Sequence, residues 1–564
     1  MEADLSELRS HKDEWASVTL PERIRLLDGV IRRTDFAAGR WVEASSNAKG
    51  FGPESDLAGE EWLSGPYGVL VGAGALRKSL ERLNRGLTTY KRSWVSARPD
   101  GRAVVRVLPV EWWEPLLLSG YRLDMSMQPG VTPSNLADHT AELYRNSSRL
   151  GPSRVGRVCA VLGAGNIASI PPLDVIYKLY AEGQVVALKL SPVNDYLGPI
   201  YAEIFADFID RGFLRIFYGG GEAGAAIVNS PHVDTVHITG SSGSHDQIVY
   251  GSGPEADDRR RRGQPILGKP ITSELGGVSP FIVVPGPWSE ADLRYQAEHF
   301  VTQKILNGGF NCVAAQVLVL AEGWGAADRF VRHVHEVIDE LPARLSYYPG
   351  SDARRLAVAD HPSAVSIGRS RVSHLPDLDP DESHRAFEEE FFTAAFASTR
   401  LAHADPLRFL DAAIDFANDR LDGTLSAVVI AHPRTIAELG PRFEQSLDRL
   451  RYGSVGVNVW TAFNFLQPRS SWGAYPGHTL QDVGSGIGNV HNALLFDSPE
   501  KTVARGPFRP LGRSVLAGEF HFSPKPPWFV TSRTGRRTAE LFTRFLTDHS
   551  VRRLPALFAS ALRS

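Results

Sequence analysis

Two cysteines occur in the 564-residue chain, and their settings differ. Cys312 ends the run Leu306-Asn-Gly-Gly-Phe-Asn-Cys312, a glycine-bearing loop ahead of an apolar segment, whereas Cys159 lies inside the apolar VCAVL. A thiol attacks as its thiolate, and loop amides or a helix end can lower its pKa. Cys312 is therefore a candidate nucleophile and Cys159 a structural residue. Glu274, in Ser273-Glu-Leu-Gly-Gly277, is a candidate general base, because the glycines let backbone approach closely and leave the carboxylate room to move. Asn166, in Gly163-Ala-Gly-Asn-Ile-Ala168, offers a side-chain amide that can donate to an oxyanion.

The same turn matches G-x-G-x-x-[GA], but Pro171 and Pro172 fit only the first turn of a helix and delay its start. The usual pyrophosphate grip of that motif is not expected here. Lys189 ends the run VVALKL, at the strand edge where open α/β sheets bind ligands, and faces ligand on that reading. No metal site is expected: two cysteines cannot build a Cys-rich zinc site, and His333 and His335 lack the H-E-x-x-H spacing and read as a solvated helix face.

These residues need a frame to hold them. From Val155 onward short apolar runs ending in glycine or proline alternate with helical stretches: RVCAVLGAG, PPLDVIYKLYAEG, VVALKLSP, YLGPIYAEIFADFIDRG, LRIFYGGG, EAGAAIVNSP, VDTVHITGSS. Such alternation predicts right-handed βαβ units and a parallel sheet covered on both faces. Residues 1–48 read as helical, 251–265 as a solvated charged loop carrying Arg259 to Arg262, and 271–457 as a second α/β region. Beyond PKPPWF, a stiff linker, Leu541, Phe542, Phe545 and Leu546 fall at helical spacing, which predicts an extra layer packed on the body.

Composition sets the class. Apolar residues make up 43% and charged residues 22%, as in globular proteins, and the formal charge of −3 gives no reason to expect nucleic acid as a partner. No transmembrane run and no signal-peptide pattern is read in the sequence, and two cysteines exclude a disulfide scaffold, so a reducing cytoplasm is the expected location. With 10 lysines against 51 arginines, each lysine merits attention.

Taken in order, the motifs over about residues 150–490 resemble the aldehyde dehydrogenase superfamily. Asn307-Gly-Gly-Phe-Asn-Cys312 is similar to its N-x-G-x-x-C, Glu274-Leu-Gly-Gly277 to E-L-G-G, Thr239-Gly240-Ser241 to T-G-S, and Gly219-Gly-Gly-Glu-Ala-Gly224 to G-G-G-x-x-G. Glu389-Glu390-Phe391-Phe392-Thr393-Ala394 is similar to E-E-I-F-G-P. The resemblance implies oxidation of an aldehyde to an acid, with Cys312 as nucleophile, Glu274 as base and Asn166 on the oxyanion. It implies NAD or NADP as cofactor, with Lys189 on the adenine-side ribose. Gly219, Gly224, Thr239, Gly240 and Ser241 would lie near the pyrophosphate, Glu390 on the nicotinamide ribose, and Phe392 against the ring. Pro192 stands where the family often has a glutamate for the ribose 2′-hydroxyl, which leaves both cofactors open. Trp460, Phe463 and Phe465 fall at the family's substrate tunnel and imply a bulky apolar or aromatic aldehyde.

The implied fold is α/β, with two parallel-sheet domains and a small oligomerisation element, assembled as a homodimer or homotetramer. The expected division is a helical segment (1–50), a cofactor domain (51–270), a catalytic domain (271–460), a return to the cofactor domain with the oligomerisation element (461–500), and a basic extension (501–564) with 12 Lys+Arg against 3 Asp+Glu. The alternatives are a CoA-linked acyl thioester reductase of the same superfamily and a catalytically silent scaffold on the same fold.

Overall fold

The computed structural model describes residues 1–145, 155–511, 515 and 518–564. Parts of the expected cofactor domain and of the basic extension therefore lie outside the described residues. Residues 1–48 form two helices, Glu2–Ser17 and Leu20–Ala48. Leu5, Leu8, Trp15 and Leu27 from these helices are fully buried against the first sheet.

That first sheet has six strands. Arg157–Leu162 is central and pairs in parallel with Gln184–Lys189 on one side and Thr235–Gly240 on the other. Leu214–Phe217 and Ile271–Leu275 extend it at the two flanks, also in parallel, and Gly486–Ile487 closes one edge antiparallel. The strands are almost continuously buried, as a sheet covered on both faces requires. Pro171 and Pro172 fall in the first turn of helix Ile170–Tyr180, where their missing N–H groups cost nothing.

The second sheet has eleven strands. Its parallel centre runs from Ser454–Val457 through Ser426–Ile430, Ser279–Val283 and Ala315–Ala321 to Ala395–Leu401. Ile271–Leu275 pairs with the first sheet and Ser279–Val283 with the second, so the boundary falls at the glycines 276–277, a few residues past the expected 270. A larger correction concerns the segment before residue 130. Strands Val95–Ala97, Ala103–Leu108 and Arg122–Met127 belong to the second sheet, joined to it through Pro499–Arg505. Periodicity alone could not show this, because the pairing spans most of the chain.

Residues 251–265 are not a loop. Pro254–Arg262 is an exposed helix, opened by its proline and closed by Gly263 in the left-handed region. Its arginines pair locally with carboxylates such as Glu255 and Asp258. Both His333 and His335 sit on helix Ala327–Glu340 as expected, but only His333 faces solvent partners, Glu290 and Glu336. His335 Nε2 instead bonds the buried His374 Nδ1 at 3.0 Å. The tail does form a packed layer: helix Gly535–Asp548 buries Phe542, Phe545 and Leu546.

Candidate active site

Helix Glu290–Ile305 begins with a Ser289–Asp292 capping box and ends at the cysteine loop. The chain then turns sharply, with Asn307, Gly308 and Gly309 all in the left-handed region (φ 56°, 69° and 86°). At Gly309 a side chain is excluded twice, since a Cβ there would also lie 2.8 Å from the Thr393 carbonyl. Asn307 pays for its conformation with partners. Its Nδ2 donates to the carbonyls of Asn166 (3.0 Å) and Phe310 (3.2 Å). Its Oδ1 accepts from Lys49 Nζ and the Tyr347 hydroxyl, both at 2.9 Å. Lys49 in turn is ion-paired at 2.7 Å with Glu61, and both side chains are buried. The sequence reading missed this network: its only signal was the rarity of lysine.

Cys312 lies at the floor of a cavity of about 750 Å³, shared with Asn166, Lys189, Glu274, Glu390 and Phe392. Gly224, Thr239, Gly240 and Ser241 line the same cavity, while Gly219 stands next to the lining residues Gly220 and Gly221. Asn166 Nδ2 donates to the Phe310 carbonyl at 2.9 Å. An amide carries two N–H donors, so one remains for a ligand. The Thr239 hydroxyl is already committed, donating to Asp174 Oδ2 at 2.9 Å. Two helix N-termini face the cavity, those of Gly221–Asn229 and Ser242–Tyr250, the second capped by Ser241.

The electrostatics correct one expectation. The Cys312 thiol is not held low: burial, and then the carboxylates of Glu274 and Glu390, push it well above its usual value. Burial in a low-dielectric site, with two carboxylates close by, outweighs the loop amides. Glu274 is itself pushed up to about 8, chiefly by burial, against the hydrogen bond it accepts from the Trp472 indole. Its carboxylate and the Cys312 thiol act on each other's charge, and both line the cavity. A base near 8 beside a raised thiol can take the thiol's proton when substrate arrives. Cys159 is buried in its strand and pushed up to about 12, as a structural cysteine should be.

The cavity fits a dinucleotide by its own features. Its volume lies in the range of cofactor sites. The buried Glu390 Oε1 has no hydrogen-bond partner and suits a ribose hydroxyl. Gly276 leaves the room that carboxylate needs, since a Cβ there would come within 2.2 Å of it. Burial pushes Glu390 up to about 8 and draws Lys304, on the helix before the cysteine, down to about 7, each opposing the other's shift.

The sequence profile of the aldehyde dehydrogenase family matches residues 157–347, the stretch that carries Asn166, Lys189, Glu274 and Cys312. Over that stretch the chain is similar to aldehyde dehydrogenases. Among its relatives, D-glyceraldehyde dehydrogenase (NADP+) of Thermoplasma acidophilum is 25% identical over 49% of this chain and 55% of its own length. Glutarate-semialdehyde dehydrogenase of Pseudomonas aeruginosa is 24% identical over 78% of this chain and 92% of its own. For the first three curated relatives, the match spans 34–62% of their length. An aldehyde dehydrogenase of Pseudomonas syringae, solved with NAD+ and octanal, superposes with a TM-score of 0.57 at 17% identity, covering 90% of this chain and 88% of that one. The fold shared with that structure thus extends well beyond the matched profile. No helix among the described residues is long and apolar enough to cross a membrane.

Proposed function

We propose that the protein oxidises an aldehyde to a carboxylic acid with NAD+ or NADP+. The observation that carries this reading is that Cys312, Glu274 and Asn166 line one dinucleotide-sized cavity together with Lys189 and Glu390. Bound there, the nicotinamide supplies the hydride acceptor. Lys189, the two helix N-termini and Glu390 hold the cofactor, with Phe392 against its ring; Gly219 and Gly224 shape the turn and helix beside it, and Thr239 and Gly240 the strand end.

The Cys312 sulfur adds to the aldehyde carbon while its proton passes to Glu274. The remaining Asn166 N–H and the Cys312 backbone N–H hold the oxygen as it becomes negative. Two-electron oxidation of this adduct leaves a thioester on Cys312. Glu274 gives that proton up to solvent and, ionised again, takes one from water as the water attacks the thioester; the acid departs and the proton returns to the Cys312 sulfur. Among the residues lining the cavity, the carboxylates are Glu274 and Glu390. Asp195 acts on the charge of Lys189 from outside that lining, and no carboxylate stands at position 192, which supports use of both cofactors.

The substrate reading is a bulky apolar or aromatic aldehyde. Cys312 opens on a second, apolar cavity of about 80 Å³ walled by Trp460, Phe463, Phe465 and Trp472. A homodimer or homotetramer through an added strand pair is the assembly that the family resemblance implies. The cytoplasmic assignment rests on two unpaired cysteines, one of them the nucleophile. The deciding experiment follows NAD(P)H absorbance over a panel of aliphatic and aromatic aldehydes, without CoA. Turnover of apolar members supports the reading, and no turnover by folded, cofactor-saturated protein overturns it.

A further inference from the structure

The cavity of about 80 Å³ beside Cys312 is completed by Trp528, a residue of the C-terminal segment. Trp528 also lines a third apolar cavity, of about 60 Å³, formed by Leu118, Tyr121, Phe542, Leu557 and Phe558 among others. Trp528 is the residue common to the linings of both. Its ring packs against Phe463 of the inner cavity (5.7 Å between centroids) and Tyr121 of the outer one (6.4 Å), and those two rings meet each other at 4.9 Å.

The indole is firmly placed. Pro526 and Pro527 fix the backbone ahead of it. Lys525 Nζ donates to Glu298 at 2.6 Å and the Val530 N–H to Thr302 Oγ1 at 3.1 Å. Phe529 stacks on Tyr295 and His299 at 5.2 and 5.3 Å. All four anchors lie on helix Glu290–Ile305, whose end delivers the cysteine loop. The C-terminal strap and Cys312 are therefore referenced to one helix.

We propose that Trp528 is a specificity-determining partition: it ends the pocket that receives the apolar tail of the substrate and so sets the longest chain accepted. This rests on the aldehyde reading above. Each methylene that stays within apolar walls should raise kcat/KM about fourfold, until the chain meets the indole. Removing the indole joins the two cavities, and the gain should continue into the outer one.

The test measures kcat/KM for linear alkanals of increasing length with wild type and Trp528→Ala. It also measures binding of linear alkanoic acids to the cofactor-free proteins by calorimetry. The expected result is a break in the wild-type series that moves to longer chains in Trp528→Ala, with a gain of about tenfold or more beyond the old break. The shortest alkanals should change little. Trp528→Leu, which keeps an apolar anchor for the strap, should move the break in the same direction. Ala561→Phe, filling the outer cavity, should cancel the gain in the Trp528→Ala background and leave the wild-type series unaltered. An unmoved break in folded Trp528→Ala or Trp528→Leu overturns the proposal. If acids show the moving break while no alkanal is oxidised, the reaction assignment fails and the partition stands.

Discussion

The Trp472 indole N–H donates to Glu274 Oε1 at 2.9 Å, and the same indole walls the apolar pocket beside Cys312. The proposed base is thus held by a ring that the substrate touches. A hydrogen bond to the carboxylate favours its charged form, so its loss should raise the Glu274 pKa further. In Trp472→Phe the alkaline-rising limb of the kcat profile should move up by about one unit, the worth of a charge-assisted bond. An unshifted limb would detach Trp472 from the base.

For wild type the sign of the pH dependence follows from Glu274 standing near 8. The base works only when ionised, so acyl-enzyme release should slow as pH falls through about 8 and level off above it. Glu274→Gln should lose about 10²–10⁴ in steady-state rate and flatten this limb. Because Glu274 also receives the thiol's proton, a burst of about one NAD(P)H per active site should form more slowly than in wild type and still precede the slow steady state. A rate restored by CoA in either protein would favour thioester exchange over hydrolysis.

Cys312 and Cys159 should part under alkylation. Both thiols are raised, but Cys312 opens on two cavities while Cys159 is buried in a central strand. Iodoacetamide should label Cys312 first, faster with rising pH, and peptide mass mapping reads the order. Cys312→Ala should abolish turnover and keep NADP+ affinity within a few-fold.

Lys49→Met removes the cation from a buried pair and one partner from Asn307. Stripping a buried ion pair of one member costs about 3–5 kcal/mol, so the melting temperature should fall. Because Asn307 would lose its hold on the loop, kcat should fall more than cofactor affinity does. Lys49→Arg, which retains the charge, should recover part of both.

Cofactor choice should be broad, with kcat/KM for NAD+ and NADP+ within about two orders of magnitude, roughly 2.7 kcal/mol. Pro192→Glu would place a carboxylate beside Lys189 and should shift the ratio toward NAD+. A wild-type preference above about ten-thousandfold for either nucleotide would show a discriminating group elsewhere.

The residues that were legible in sequence are those whose chemistry dictates both type and local spacing. Cys312, Glu274 and Asn166 each sit on a glycine-marked turn at a strand or helix end, and a turn is written in a few consecutive residues. Lys49, held by Glu61, reaches the cysteine loop from just past the second N-terminal helix, a partnership with Asn307 across about 250 positions that no local pattern records. Trp528 escaped for the same reason: PKPPW announced a stiff segment but not what its indole would face. The direction of the Cys312 shift was also out of reach, because it depends on carboxylates brought in from residues 274 and 390.

The strand Pro499–Arg505 lies between Ser454–Val457 on one side and Arg122–Met127 on the other. During synthesis the early strands 95–127 consequently have no seat in the larger sheet until residue 505 has left the ribosome. Through most of translation they remain an unclaimed hairpin-like ribbon with a raw edge, the form of chain most open to pairing with a stranger. The keystone of this sheet is the last strand to arrive, so a nascent chain halted before residue 499 would lack the strand that ties 95–127 to Ser454–Val457.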